Sequence, residues 1–228
     1  MFKGVVNLFF KRVIKKTKKN SFIVEIASND GTFLKNFKKS KRTVLGVDPA
    51  KNIAKIANQK GINTIPVFFN KKFAKEIIKK NSNADIVFAR NVIPHVKDIH
   101  SIVKGINTLL SKDGTAVIEF HYSKIIQDEL HYDSIYHEHL FYFTLKTITN
   151  LFKRYGLHAF DVDKSPISGG SLVLYFSKTK MSLSKNLHNL VMEEKSRKVN
   201  QFSTWKNFAN KSINHAKEFK IIVEKLNN

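Results

Sequence analysis

The sequence predicts an α/β fold built on a parallel, doubly wound sheet, and three observations carry that prediction. Short apolar runs rich in β-branched residues alternate with helix-like segments from Ser21 to Leu110. The first run, Phe22 to Ile26, stops at a polar turn holding a single glycine, Ser28-Asn29-Asp30-Gly31-Thr32, and passes at once into Phe33, Leu34 and Phe37 at helical spacing. The second run, Thr43 to Val47, ends in an acid, Asp48. Strand, tight turn and helix present backbone N–H groups beyond the carboxyl end of a strand. An acid at the tip of the next strand can accept hydrogen bonds from both hydroxyls of a ribose.

Residues 1–20 read as a basic amphipathic helix. Phe2, Val5, Val6, Phe9, Phe10, Val13 and Ile14 recur at helical spacing, with Lys3, Lys11, Arg12, Lys15 and Lys16 elsewhere on the wheel. Such a helix can lie on an anionic membrane or cap an adjacent sheet, and capping is the expectation here. Residues 21–178 form the ligand-binding domain. Its first helix runs to about Lys39. Pro49 is expected to open a helix with Ile53, Ile56 and Ala57 on one face, since proline suits the first helical position, and Gly61 closes it. A short strand from Asn63 to Val67, a helix over Lys71–Lys80 and a continuously apolar, hence buried, strand over Ala84–Ala89 follow. A helix over about Asp98–Leu110 should end at a Lys112-Asp113-Gly114 turn before a strand over Thr115–Phe120.

The alternation then changes. His121 to Phe143 is crowded with histidine, tyrosine and acids. A helix from Leu145 to Tyr155, a strand over His158–Val162 and, after Gly169-Gly170, a strand over Ser171–Ser177 suggest an antiparallel hairpin finishing the sheet. Residues 179–228 read as helix, with Trp205, Phe208, Ile213, Ala216, Phe219 and Val223 in one stripe that is expected to pack on the domain or on a partner, another protein or a second copy.

Bulk composition narrows the function classes. A hydrophobic fraction of 42% with 11% aromatics supports a sizeable core in 228 residues. The absence of cysteine excludes disulfides and thiolate zinc sites and fits a reducing compartment, so a cytoplasmic location is expected. No apolar run approaches the ~20 residues of a membrane span, and the N-terminus lacks the apolar core and cleavage site of a signal peptide. The formal charge of +22 invites a nucleic-acid partner. Against it, the basic residues are dispersed and nearly all lysine, only five being arginine, the residue that nucleic-acid sites favour. A diffuse positive field would still draw in an anionic, nucleotide-linked small molecule.

The single-glycine turn lacks the three glycines that let a backbone press against a pyrophosphate. It suits a nucleoside ligand without one, which S-adenosylmethionine is and NAD is not. Loops after the fourth and fifth strands face the same crevice. Arg90-Asn91-Val92-Ile93-Pro94-His95 places Asn91 and His95 there, and Ile135 to His139 (IYHEH) adds histidines, the default proton acceptors near neutral pH. Asp133, His137 and His139 could instead ligate a metal, but the spacing is not that of a helical H-E-x-x-H and no metal is expected.

VEIASNDGTFL, GVDPAKNIAKIANQKGI, ARNVIPHV, IYHEHLFYF and GGSL, in this order and spacing, together resemble the S-adenosylmethionine-dependent C-methyltransferases that act on nucleotide-linked 4-keto-6-deoxysugars. The resemblance covers about Ser21 to Lys178 and the helical stretch beyond. It does not extend to the cysteine-ligated zinc domain and the second α/β domain that members carry on either side. It implies a class I methyltransferase, Rossmann-like fold with a seven-stranded, mostly parallel sheet whose last strand is antiparallel. It also implies that Glu25, Ser28, Asn29, Asp30, Gly31 and Thr32 hold the methionine part of the cofactor and Asp48 its ribose, with Pro49 and Arg90 completing that set. His139 would be the general base, with Tyr136, Glu138, Asn91 and His95 binding and polarising the sugar. Two features depart from the family: Val67 stands where an acid is common after the third strand, and Ser168 and Val173 flank GGSL. Methylation of RNA or of another small molecule, and binding of cofactor or partner without turnover, are the alternatives.

Overall fold

The computed structural model describes residues 2–226; Met1, Asn227, Asn228 and the side chain of Phe2, all within the terminal segments read as helical, lie outside the described residues. In chain order the first half comprises α1 (Phe2–Ile14), β1 (Phe22–Ile26), α2 (Leu34–Lys39), β2 (Thr43–Val47), α3 (Lys51–Gln59), β3 (Thr64–Ile65), α4 (Lys71–Lys80) and β4 (Ala84–Arg90). The second half comprises α5 (Ile99–Leu109), β5 (Leu110–His121), α6 (Ser123–Asp128), α7 (Leu145–Lys153), β6 (His158–Ser165), β7 (Ser171–Ser177), α8 (Lys185–Ser196) and α9 (Phe202–Leu226). The strands form a seven-stranded sheet in the order β3-β2-β1-β4-β5-β7-β6. Neighbours are parallel except around β7, which is antiparallel to both β5 and β6.

The buried strands read as continuous apolar runs because helices cover both faces. One face, with Val24, Val87, Ala89, Ile118 and Leu174, packs under α4, α5 and α7. The other, with Ile23, Ile86, Phe88, Val117 and Tyr175, packs under α1 and α2. The amphipathic N-terminal segment is therefore a sheet cap: Val6, Phe9 and Val13 are buried, and the Phe9 ring lies 5.2 Å from that of Phe88. Burying a phenylalanine of this kind contributes roughly 1.5–3 kcal/mol.

Several boundaries differ from expectation for local reasons. Ala50, not Pro49, precedes the first turn of α3, and the helix turns its small residues Ala54 and Ala57 inward, leaving Ile56 39% exposed. Lys112-Asp113-Gly114 does not separate a helix from a strand. α5 passes straight into β5, and the extra residues form a register shift against β4, where Ala84 faces Leu110 but Ile86 faces Thr115. β3 keeps only two residues in the ladder, and β6 continues to Ser165 by pairing with all of β7.

The C-terminal segment is two helices, not one, broken where Lys198 takes a positive φ of 54°. Buried Glu194 of α8 anchors it. It accepts from the Leu145 and Lys146 N–H groups at 2.6 and 3.0 Å, the start of α7, and from the Tyr122 hydroxyl at 3.0 Å. A carboxylate is favoured at a helix N-terminus by the dipole and the unpaired N–H groups. In α9 only Phe208 of the predicted stripe is buried, while Ile213, Phe219 and Val223 are exposed, so the stripe does not pack on the domain over most of its length.

Candidate active site

Two groups of residues meet at the carboxyl edge of the sheet. The first lies beyond β1 and β2. The turn after β1 coils tightly because Ala27, Asn29 and Gly31 all have positive φ (53°, 50° and 77°). Gly31 is required there twice over, since an added Cβ would also stand 2.8 Å from Ile62 Cγ2. Buried Asp48 ties the two turns together: the Asn29 N–H donates to its Oδ2 and the Ala50 N–H to its Oδ1, both at 2.9 Å. A carboxylate offers about four acceptor positions, so two remain for a ligand.

Glu25, near the end of β1, is buried, and its Oε2 has no hydrogen-bond partner among the described residues. Burial pushes its pKa well above the ordinary value, while the nearby Arg90 guanidinium pulls the other way. Ser28 Oγ is likewise buried and unpartnered among the described residues. Unsatisfied polar atoms at the edge of a sheet suit a ligand that brings its own hydrogen-bonding groups, as the amino-acid part of S-adenosylmethionine does. The residues present thus fit that cofactor.

Other residues expected to touch the cofactor are placed differently. Asp30 accepts from Lys60 Nζ and the Thr32 hydroxyl, both at 2.6 Å; the lysine bond holds its carboxyl below the usual range. Thr32 is thereby engaged within the turn, and Pro49 is exposed. Arg90 is committed to the interior. It pairs with fully buried Glu119 at 2.5 Å, and its guanidinium stacks 3.4 Å from the centroid of the Phe33 ring and 4.9 Å from that of Phe9.

The second group surrounds a cavity of about 530 Å³ at the ends of β4 and β5. Asn91, Pro94 and His95 line it from the loop after β4, and His121 from the end of β5. The loop between α6 and α7 contributes Tyr136, His139 and Tyr142, and Ser168-Gly169 closes one side. The turn after β1 is not among these walls, although β1 and β4 are neighbours in the sheet.

Backbone carbonyls set the two facing imidazoles. His139 Nδ1 is 2.9 Å from the Ser134 carbonyl, and His95 Nδ1 is 2.9 Å from the Glu138 carbonyl. A carbonyl only accepts, so each neutral ring carries its proton on Nδ1 and leaves Nε2 as the basic nitrogen. The two rings lie 4.8 Å apart, and the Tyr136 hydroxyl is 3.3 Å from His139 Nε2. Desolvation raises the pKa of Tyr142, whose ring meets that of His139 edge-on at 5.9 Å. Arranged this way, His139 can accept a proton while a phenol beside it donates a hydrogen bond.

Glu138 departs from its expected role. Its side chain is exposed and absent from the cavity walls, and its backbone carbonyl does the orienting. Among the described residues no group of three or more His, Asp or Glu side chains converges as metal ligands would. The sequence marks His121 only as part of a histidine-rich stretch, yet the structure places it in the cavity wall; the alternation of β5 gives no local signal, since it sets Val117 on the face under α1 and α2.

A seven-stranded sheet of this order, with β7 antiparallel to its neighbours and helices on both faces, is the class I methyltransferase fold. The chain belongs to the family described as methyltransferase domain, which matches residues 3–161. S-adenosylmethionine is the cofactor of this class. In sequence it is 37% identical over 153 residues, 67% of this chain, to the C-methyltransferase NovU of Streptomyces niveus. The chain spans 36% of the length of that relative. In fold it is similar to the YcgJ protein of Bacillus subtilis (TM-score 0.61, 13% identity, covering 78% of this chain and 100% of that one). It is equally similar to magnesium protoporphyrin IX methyltransferase of Synechocystis, solved with bound S-adenosylhomocysteine (TM-score 0.61, 10% identity, 78% and 83%). Among the described residues no helix is long and apolar enough to cross a membrane.

Proposed function

We propose that this protein transfers a methyl group to carbon on a nucleotide-linked keto-deoxysugar, with His139 as the general base. The observation that carries the proposal is the orientation of His139. With Nδ1 held 2.9 Å from the Ser134 carbonyl, its Nε2 lies 3.3 Å from the hydroxyl of Tyr136, another residue of the cavity wall, which supports a role in taking a proton from a carbon acid. Similarity in sequence to a C-methyltransferase supports carbon as the acceptor.

In this reading Glu25, Ser28 and Asn29 hold the amino-acid part of S-adenosylmethionine, with Asp48 on its ribose. Gly31 lets the turn coil against Ile62, and Asp30, Thr32 and Arg90 shape it without touching the ligand. The bound cofactor supplies an electrophilic methyl. His139 Nε2 removes a proton from the carbon next to the ketone, and the C–H electron pair moves into the enolate. The Tyr136 hydroxyl, released from Nε2 by the substrate, donates to the developing enolate oxygen, the kind of contact that strengthens as charge builds. His95 and Asn91 hold the ring so that the enolate carbon faces the methyl; such positioning supplies much of the rate.

The test is incubation of the protein with isotopically labelled S-adenosylmethionine and a panel of nucleotide-linked keto sugars, with the product carbon located by NMR. The expected result is label on a carbon next to the ketone in at least one member. Label on a hydroxyl oxygen, label on added RNA alone, or no transfer at all would overturn the proposal.

A further inference from the structure

The cavity holds a third imidazole that the proposed chemistry leaves unused. His121 ends β5, opposite Ser171 of the GGSL stretch, and is only 9% exposed, yet it lines the cavity. Its Nε2 is buried and has no hydrogen-bond partner among the described residues. In this it differs from His95 and His139, whose Nδ1 atoms are engaged by backbone carbonyls. Its neighbour His131 stands 6.1 Å away, ring to ring, and packs on Gly169, where an added Cβ would come within 2.9 Å of His131 Cε1. The glycine turn therefore leaves space for a second ring next to His121.

We propose that His121 contacts the substrate directly, as a neutral hydrogen-bonding group for a hydroxyl of the sugar; the inference rests on the function proposed above. A polar side chain about nine-tenths buried in a cavity wall, with a nitrogen that has no partner among the described residues, suits an occupant of that cavity that brings a hydrogen-bonding group. Burial first, then the nearby His131 and His139, hold its pKa below that of an ordinary histidine, against an opposing pull from Asp133. The ring is therefore biased toward its neutral form, and a neutral imidazole both donates and accepts, as a hydroxyl does. A site built to pair with a hydroxyl rejects the analogue lacking it.

The experiment is calorimetric titration of a nucleotide-linked keto-deoxysugar into the protein saturated with S-adenosylhomocysteine, comparing wild type with His121→Phe and His121→Gln. His121→Phe keeps a ring of similar size and should weaken sugar binding by about tenfold or more, leaving the affinity for S-adenosylhomocysteine unchanged. His121→Gln, which keeps a donor and an acceptor, should recover most of the loss. Equal sugar affinity in wild type and His121→Phe would overturn this inference and leave the proposed function standing. A wild-type protein that binds no keto-sugar nucleotide would overturn both. Should His121→Phe fail to fold, the nitrogen-15 ring resonances of His121 in the wild type, assigned by their loss in His121→Gln, decide the matter. They should move when the sugar nucleotide is added, and unmoved resonances overturn the inference.

Discussion

The two halves of the site are built on different principles. Beyond β1 and β2 the structure is short, coiled and cross-tied: three residues at positive φ, a glycine pressed on Ile62, and one carboxylate, Asp48, holding both turns. At the ends of β4 and β5 a long loop supplies much of the wall, and the imidazoles of His95 and His139 stand on backbone carbonyls. The first half is constrained by its backbone conformation and the second by the orientation of its rings. A rigid cradle suits a ligand that never changes, whereas an oriented proton acceptor suits a reaction whose charge moves.

Mutations that act on one half and spare the other would sharpen this comparison. The largest effect is expected from His139→Ala, which should lower methyl transfer by about 10²–10⁴-fold while leaving S-adenosylhomocysteine affinity at the wild-type value by calorimetry. Unchanged turnover would remove His139 from the chemistry, and lost cofactor binding would show that the halves are not separate.

Next is Gly31→Ala, which demands a φ of +77° from alanine and sets a Cβ 2.8 Å from Ile62 Cγ2. It should destabilise the fold by about 1–3 kcal/mol, lowering the melting temperature by several degrees, and weaken cofactor binding. A melting curve identical to wild type would show the turn to be less constrained than its geometry indicates.

The smallest effect is expected from Glu25→Gln, and it has a sign. Because burial raises the folded-state pKa of Glu25, its contribution to stability is present below the ordinary glutamate range and lost as pH rises through the folded value. Glutamine does not titrate. The variant should therefore melt higher than wild type at pH 7, with the gap closing as pH falls, and should bind the cofactor less well. A gap that does not change with pH would mean that Glu25 is not desolvated.

Where sequence patterns were locally determined they matched the structure closely. α4 occupies Lys71–Lys80 as expected because Asn70 caps it, its side chain accepting from the Phe73 N–H, and its apolar residues recur at helical spacing. β7 over Ser171–Ser177 follows a double glycine and is wholly buried. The positions misjudged depend on distant partners. Nothing near Lys112 signals that Leu110–Gly114 joins the ladder with β4, and nothing near Lys198 signals the break that lets α8 bring Glu194 to the start of α7.

The site follows the same rule. Residue types at the turn and in IYHEH suggest a chemistry, whereas which side chains are free to face a ligand is set by tertiary packing that the local sequence does not encode. Arg90 is drawn inward by Glu119, Phe9 and Phe33, and Glu138 meets His95 through its backbone carbonyl, an atom that every residue possesses.

That last feature reaches beyond a single residue. The hooks that steer both imidazoles are peptide oxygens at 134 and 138, so point changes of the side chains there leave the hooks in place, whereas shortening the loop by one residue would misaim both rings together. The aim of the two rings at this edge of the protein is thus set by chain length and curvature, whatever side chains stand at 134 and 138.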